Sequence, residues 1–185
     1  MILLLLADGF EETEALVPLD LLRRGKCDVK TVGITGKTVS GAHGIAVTAD
    51  LLPKEVNGKI DALILPGGMP GTTNLDASPD VDRLIQKTLS DGGRLAAICA
   101  APMVLGRRGL LKNKRAVCFP GFESELKGAT VTKARVENDG MITTAVGMGA
   151  AYEFGLALIY RLKGRDAAES VKRSALIPDG ITIPD

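Results

Sequence analysis

The sequence predicts an α/β fold, a mostly parallel β-sheet sandwiched between two layers of helices, and three observations predict it. Short unbroken apolar runs at residues 2–7, Ala62–Leu65, 95–98 and, in a weaker form, 141–145 read as strands buried on both faces, which is how parallel sheets appear in sequence. Stretches of helical period lie between them, so strand and helix signals alternate along the chain. A composition of 45% hydrophobic but only 3% aromatic residues, without tryptophan, requires an aliphatic core of the kind such strands supply.

The opening run, Met1-Ile-Leu-Leu-Leu-Leu-Ala7, has no basic segment and breaks at Asp8-Gly9, so it reads as a first strand and not as a secretion signal. Residues 11–24 form the first helix: Ala15, Leu16, Leu19 and Leu22 share one face, acids fill the first turn, arginines the last, and Gly25 follows. Residues 27–48 mix β-branched residues with turn glycines, which suits a strand followed by a hairpin. Further helices are expected at Pro79–Ser90, ended by Asp91-Gly92-Gly93; at 102–108, before Gly109; at 149–162, before Gly164; and, shorter, at 166–174. The tail, residues 176–185, is apolar enough to pack onto the body or onto a partner subunit. No linker, repeat or low-complexity stretch interrupts the chain, so residues 1–185 are expected to form a single domain.

Twenty-three basic and 22 acidic residues leave a net charge of +1, with no electrostatic footprint for nucleic acid or for an anionic membrane. The three cysteines, Cys27, Cys99 and Cys118, contain no C-x-x-C pair, and with a single histidine they offer neither a disulfide framework nor a zinc site. A protein of the reducing cytoplasm, without bound metal, is expected. Thr35-Gly36-Lys37-Thr38 ends like a phosphate-binding loop, but Thr31 stands where that loop needs glycine. Gly67-Gly68-Met69-Pro70-Gly71 fails the dinucleotide spacing, so no nucleotide cofactor is implied.

Three features fall where open α/β sheets collect their chemistry, beyond the carboxyl ends of strands. The run 95–98 enters Cys99, followed by small residues and Pro102, a strand-to-helix turn that presents a side chain beside backbone N–H groups. A thiol there is either a nucleophile or a small buried hydrophobe. Leu65-Pro66-Gly67-Gly68 breaks a strand into paired glycines, whose N–H groups can approach a ligand as an oxyanion loop does, or which simply end the strand. Asp8-Gly9-Phe10-Glu11-Glu12-Thr13-Glu14 leads the first strand into the first helix. Helix-dipole complementation accounts for Glu11 and Glu12. Glu14 differs, because Pro18 removes the N–H that would bond its carbonyl and should kink or open the helix there. Glu14 is therefore ranked as the acid/base partner of Cys99. His43 reads as a loop histidine, while Cys118, after a strand expected at 114–117, is a second redox thiol or a structural cysteine.

Taken together, residues 8–15, 65–68, 96–102 and 147–155 resemble the ThiJ/PfpI superfamily and, within it, the parkinsonism-associated protein deglycase branch with its bacterial members. The resemblance implies a flavodoxin-like three-layer sandwich, a homodimer, and a nucleophile elbow carrying Cys99 hydrogen-bonded to a protonated Glu14. It also implies oxyanion donors from the amides of Gly68 and Ala100, with Gly67 in the same substrate-binding loop. His43 stands about where many members carry an arginine that reaches the partner's site, so His43 and Arg24 are expected at the dimer interface or the site edge.

The activities implied are cofactor-independent and cysteine-dependent: conversion of methylglyoxal or glyoxal to hydroxy acids, and hydrolysis of early glycation adducts on proteins or nucleotides. The alternative is a redox-sensing stress-response chaperone in which oxidation of Cys99 is the signal. The chain departs from peptidase relatives, since Ala100 follows the cysteine and no histidine lies beyond position 43. Phe119-Pro120 stands where some branch members have a histidine before proline, which disfavours a mechanism needing imidazole.

Overall fold

The computed structural model describes residues 1–184. Its strands are β1 (Ile2–Leu6), β2 (Val29–Gly33), β3 (Thr38–Ser40), β4 (Ala46–Thr48), β5 (Ala62–Leu65), β6 (Arg94–Ile98), β7 (Arg115–Ala116), β8 (Thr130–Val131), β9 (Val136–Asp139) and β10 (Ile142–Ala145). The helices are α1 (Glu12–Arg24), α2 (Gly71–Asp76), α3 (Pro79–Ser90), α4 (Pro102–Arg107), α5 (Ala151–Lys163) and α6 (Arg165–Ser174). Six strands make the central sheet in the order β2-β1-β5-β6-β10-β9. All neighbours in it are parallel except the last pair, β10 and β9.

Alternation along β1 decides how the layers form. Ile2, Leu4 and Leu6 point to a core shared with α1, α5 and α6, while Leu3 and Leu5 point to a second core against α3 and α4. Each such leucine withdrawn from water contributes about 1.5–3 kcal/mol, so a strand apolar on both sides is stable only between two helical layers. The chain leaves β1 to one side for β2 and returns on the other for β5, which makes the carboxyl edge between β1 and β5 the point where the strand order reverses.

The expected strands and helices form, with four differences. α1 runs unbroken through Pro18, which is buried against α5. The segment expected as a strand at 114–117 pairs over Arg115–Ala116 only, in a separate parallel pair with β8. β9, an edge strand of sequence Val-Glu-Asn-Asp, has no apolar run to announce it. α2 is a helix of only six residues with no apolar periodicity. The hairpin expected before residue 48 is present as the antiparallel pair β3–β4, and the tail packs on the body, with Ile177, Ile181 and Ile183 against the α1–α5–α6 core. Among the described residues no helix is long and apolar enough to cross a membrane.

Helices α1 and α5 meet at Gly155, where an added Cβ would stand 2.7 Å from Leu21 Cδ1 and 3.1 Å from Pro18 Cα. Gly155→Leu is expected to cost about 1–3 kcal/mol by forcing the helices apart. Urea denaturation with an unchanged m-value measures this, and a loss below half a kcal/mol would show that the contact tolerates bulk.

Candidate active site at the carboxyl edge of the sheet

Three loops converge at the β1–β5–β6 edge. Beyond β6, Cys99 adopts φ +65°, a left-handed conformation that a non-glycine residue holds only under constraint. The constraint is visible on both sides of it: the Cys99 N–H donates to the Ala145 carbonyl at 2.9 Å, and its carbonyl accepts the Phe119 N–H at 2.8 Å. Beyond β1, α1 delivers Glu14, only 1% exposed, to the same place. Its carboxyl shares a hydrogen bond with Cys99 and accepts N–H bonds from Met148 and, at 3.0 Å, from Gly67. Beyond β5, the N–H of Gly68 joins that of Ala100 in bonding Cys99 Sγ.

The paired glycines are a steric requirement. A Cβ at Gly67 would lie 2.5 Å from Glu14 Oε2 and 2.6 Å from Cys99 Cβ, so a side chain there would separate acid from thiol. Gly68, at φ +88°, has the Glu11 backbone nitrogen 2.3 Å from where its Cβ would be, and the Glu11 N–H donates to the Gly67 carbonyl at 2.9 Å. The loops after β1 and β5 thus touch backbone to backbone. The N–H groups of Gly68 and Ala100 both meet Cys99, whereas the N–H of Gly67 is taken by Glu14.

Burial pushes the Glu14 carboxyl up to about 7, with the nearby Glu11 charge adding to it, against hydrogen bonds from Cys99, Gly67 and Met148. The Cys99 thiol is pushed up to about 12 by burial and then by the Glu14 charge and hydrogen bond, while the Ala100 and Gly68 N–H groups pull it down. Between about pH 7 and 12 the two groups therefore hold one proton between them. With the proton on Glu14, the charge that opposes the thiolate is gone and an O–H donor takes its place. The other thiols have no such pair of backbone donors: burial, with the Glu123 charge adding, pushes Cys118 up to about 11, and burial raises Cys27 against the nearby Lys163 charge.

His43 lies against the start of α1, on Glu11 and Glu12. Its Nδ1 lies 2.9 Å from Glu12 Oε2 and 3.5 Å from Glu11 Oε2, and its N–H donates to Glu12 Oε1 at 2.8 Å. Those contacts, that with Glu12 foremost, raise the imidazole pKa, and in spite of burial they hold the Glu12 carboxyl below its usual range. Glu11, Glu12 and His43 offer three ligand atoms within 4.8 Å of one another, a set among the described residues with the donor types to hold a cation. Arg24 is not at the edge of this site: it pairs with Asp20 at 2.7 Å in the last turn of α1, ten residues or about 15 Å along the helix from Glu14. Sequence reasoning missed the amides of Met148 and Phe119, because nothing local to those residues signals which side chain or carbonyl they meet.

With this geometry, a family model described as the DJ-1/PfpI family matches residues 1–161. The chain belongs to the DJ-1/PfpI family. It is 38% identical over 174 residues to protein DJ-1 homolog B of Arabidopsis thaliana, covering 92% of this chain and 40% of that protein. The chain thus spans less than half the length of that relative. It is 31% identical over 173 residues to a glutathione-independent glyoxalase of Caenorhabditis elegans, covering 92% of each. Among solved structures, a cysteine-to-alanine variant of a DJ-1 superfamily protein from Salmonella typhimurium superposes with a TM-score of 0.90 at 35% identity, covering 96% of this chain and 98% of that one. The flavodoxin-like arrangement is common to this chain and that structure.

Because folding raises the Glu14 pKa from 4.5 to about 7, the folded state binds this proton more tightly than the unfolded chain. The stability it contributes is fully present below pH 4.5 and is lost as pH rises through 7. Relative to Glu14→Gln, which cannot ionise, the wild type is expected to lose about 3 kcal/mol over that window. Urea midpoints at several pH values measure it, and parallel curves for the two proteins would mean that Glu14 is not held neutral.

Proposed function

We propose that this protein is a cofactor-independent, cysteine-dependent glyoxalase or deglycase, acting on methylglyoxal, glyoxal and early glycation adducts, with Cys99 as nucleophile and Glu14 as acid and base. One observation carries the reading: a thiol held by two backbone N–H groups shares a proton with a buried carboxyl whose pKa lies near 7. A general acid/base is most effective when its pKa is close to the working pH. The glyoxalase name of the C. elegans relative supports the same chemistry.

The Cys99 thiolate adds to the aldehyde carbon of methylglyoxal, and Glu14 gives its proton to the oxygen formed. The Gly68 and Ala100 amides stand beside the sulfur, where an oxyanion on the adjacent carbon develops. Glu14 then takes the hydrogen from that carbon and returns it to the neighbouring carbonyl carbon. This leaves a thioester, which water cleaves to lactate and the free thiol. The aldehyde carbon loses the two electrons that its neighbour gains, so the conversion needs no external oxidant or reductant. On a glycated side chain the same attack and hydrolysis release the amine or thiol.

A homodimer in the reducing cytoplasm is part of the proposal. The three free cysteines suit that compartment, and sedimentation equilibrium tests the dimer.

Cys99→Ala is expected to abolish methylglyoxal consumption, and Glu14→Gln to lower kcat by about 10²–10⁴-fold. Lactate formation checks both, and turnover surviving in Cys99→Ala would overturn the mechanism. Alkylation of Cys99 by iodoacetamide should climb through pH 7 and outpace Cys27 and Cys118, with that step missing in Glu14→Gln. Mass spectrometry of the three cysteines reads it. Equal rates at all three would favour a structural thiol and leave the redox-sensing chaperone as the better account.

A further inference from the structure

The three segments that grip the Cys99–Glu14 pair through backbone N–H groups also present large apolar side chains to solvent. Gly68, which donates to Cys99 Sγ, is followed by Met69, 51% exposed; Phe119, which donates to the Cys99 carbonyl, is 48% exposed; Met148, which donates to the Glu14 carboxyl, is 54% exposed. They make up a third of the large apolar side chains exposed among the described residues, yet all three lie on segments that bond this one pair. Gly147 fixes the ring relative to the acid: a Cβ there would lie 3.3 Å from Phe119 Cδ2 and 3.9 Å from Glu14 Oε1. Ring and carboxyl therefore flank the same bare stretch of backbone. The apolar side chains thus belong to, or directly follow, the backbone donors that hold the pair, and a few polar groups inside an apolar surround is the usual make-up of a small-molecule site.

We propose that Met69, Phe119 and Met148 form a subsite for an aryl or bulky alkyl group, so that the site prefers α-oxoaldehydes carrying such a substituent to glyoxal itself. The inference rests on the α-oxoaldehyde chemistry of the preceding section and names its substrate class. Phenylglyoxal is the simplest case. Sulfur adds to its aldehyde carbon, the hydrogen moves to the ketone carbon through Glu14, and water releases mandelate, with the two electrons passing from one carbon to the other. The ring of the substrate meets the edge or face of Phe119 and the thioethers of the methionines, contacts that glyoxal, with hydrogen in that place, cannot make.

The test compares kcat/KM for phenylglyoxal and glyoxal in the wild type, Phe119→Ala and Phe119→Leu. In parallel it compares the alkylation rate of Cys99 by N-phenyl iodoacetamide and by iodoacetamide, each divided by the rate for glutathione. Both ratios should fall about tenfold in Phe119→Ala, the scale of one lost aromatic contact with its buried area, and recover in Phe119→Leu. Ratios unmoved in Phe119→Ala would overturn the subsite, as would a fall shared equally by both members of each pair. If the wild type consumes neither dicarbonyl, the glyoxalase reading fails by itself, and the alkylation ratios alone decide whether the subsite exists.

Discussion

A single shared proton organises this molecule's edge. Glu14 is a carboxyl placed where water cannot solvate its charge, and it is tolerable there only because a thiol and two amides surround it. Cys99 is a thiol whose ionisation the same burial resists, eased by the Gly68 and Ala100 amides. Burial is thus the main reason for the state of both groups, and each then bears on the other. While ionised the carboxyl opposes the thiolate, and once protonated it offers an O–H donor instead; removing the thiol leaves the acid without its side-chain partner.

The backbone exists to bring these two together. They lie 85 positions apart in sequence, and what unites them is the reversal of strand order between β1 and β5, with β6 next in line. Carboxyl ends of parallel strands point their loops in one direction, so the ends of three adjacent strands supply acid, amides and thiol without any long excursion. The glycines at 67 and 68 then set how near the loops come. Their missing side chains are the space in which acid and thiol meet.

Much of this was legible beforehand, for reasons that differ by residue. Cys99 and the glycine pair announce themselves because each ends an apolar run, and a buried strand can end only in a turn at the sheet's edge. Glu14 was singled out through Pro18, but that reasoning expected a kinked helix, and α1 is continuous. What places Glu14 at the site is its position in the first turn after β1, a simpler cause. Arg24 was expected at the dimer interface or the site edge, and ten residues of helix carry it about 15 Å along α1 from Glu14, away from the site edge. β9 was invisible because an edge strand needs only one buried face and can be spelled Val-Glu-Asn-Asp. The meeting of His43 with Glu11 and Glu12, and the amides of Phe119 and Met148, are tertiary facts, and no period or spacing encodes them.

The left-handed turn at Cys99 has one more consequence. Its N–H is tied to Ala145 and its carbonyl to Phe119, so the residue is held at both ends by segments from two different parts of the fold. The backbone at this turn therefore has little freedom left to lose, and the entropy cost of its left-handed conformation is met once, during folding, by bonds to two segments distant in sequence.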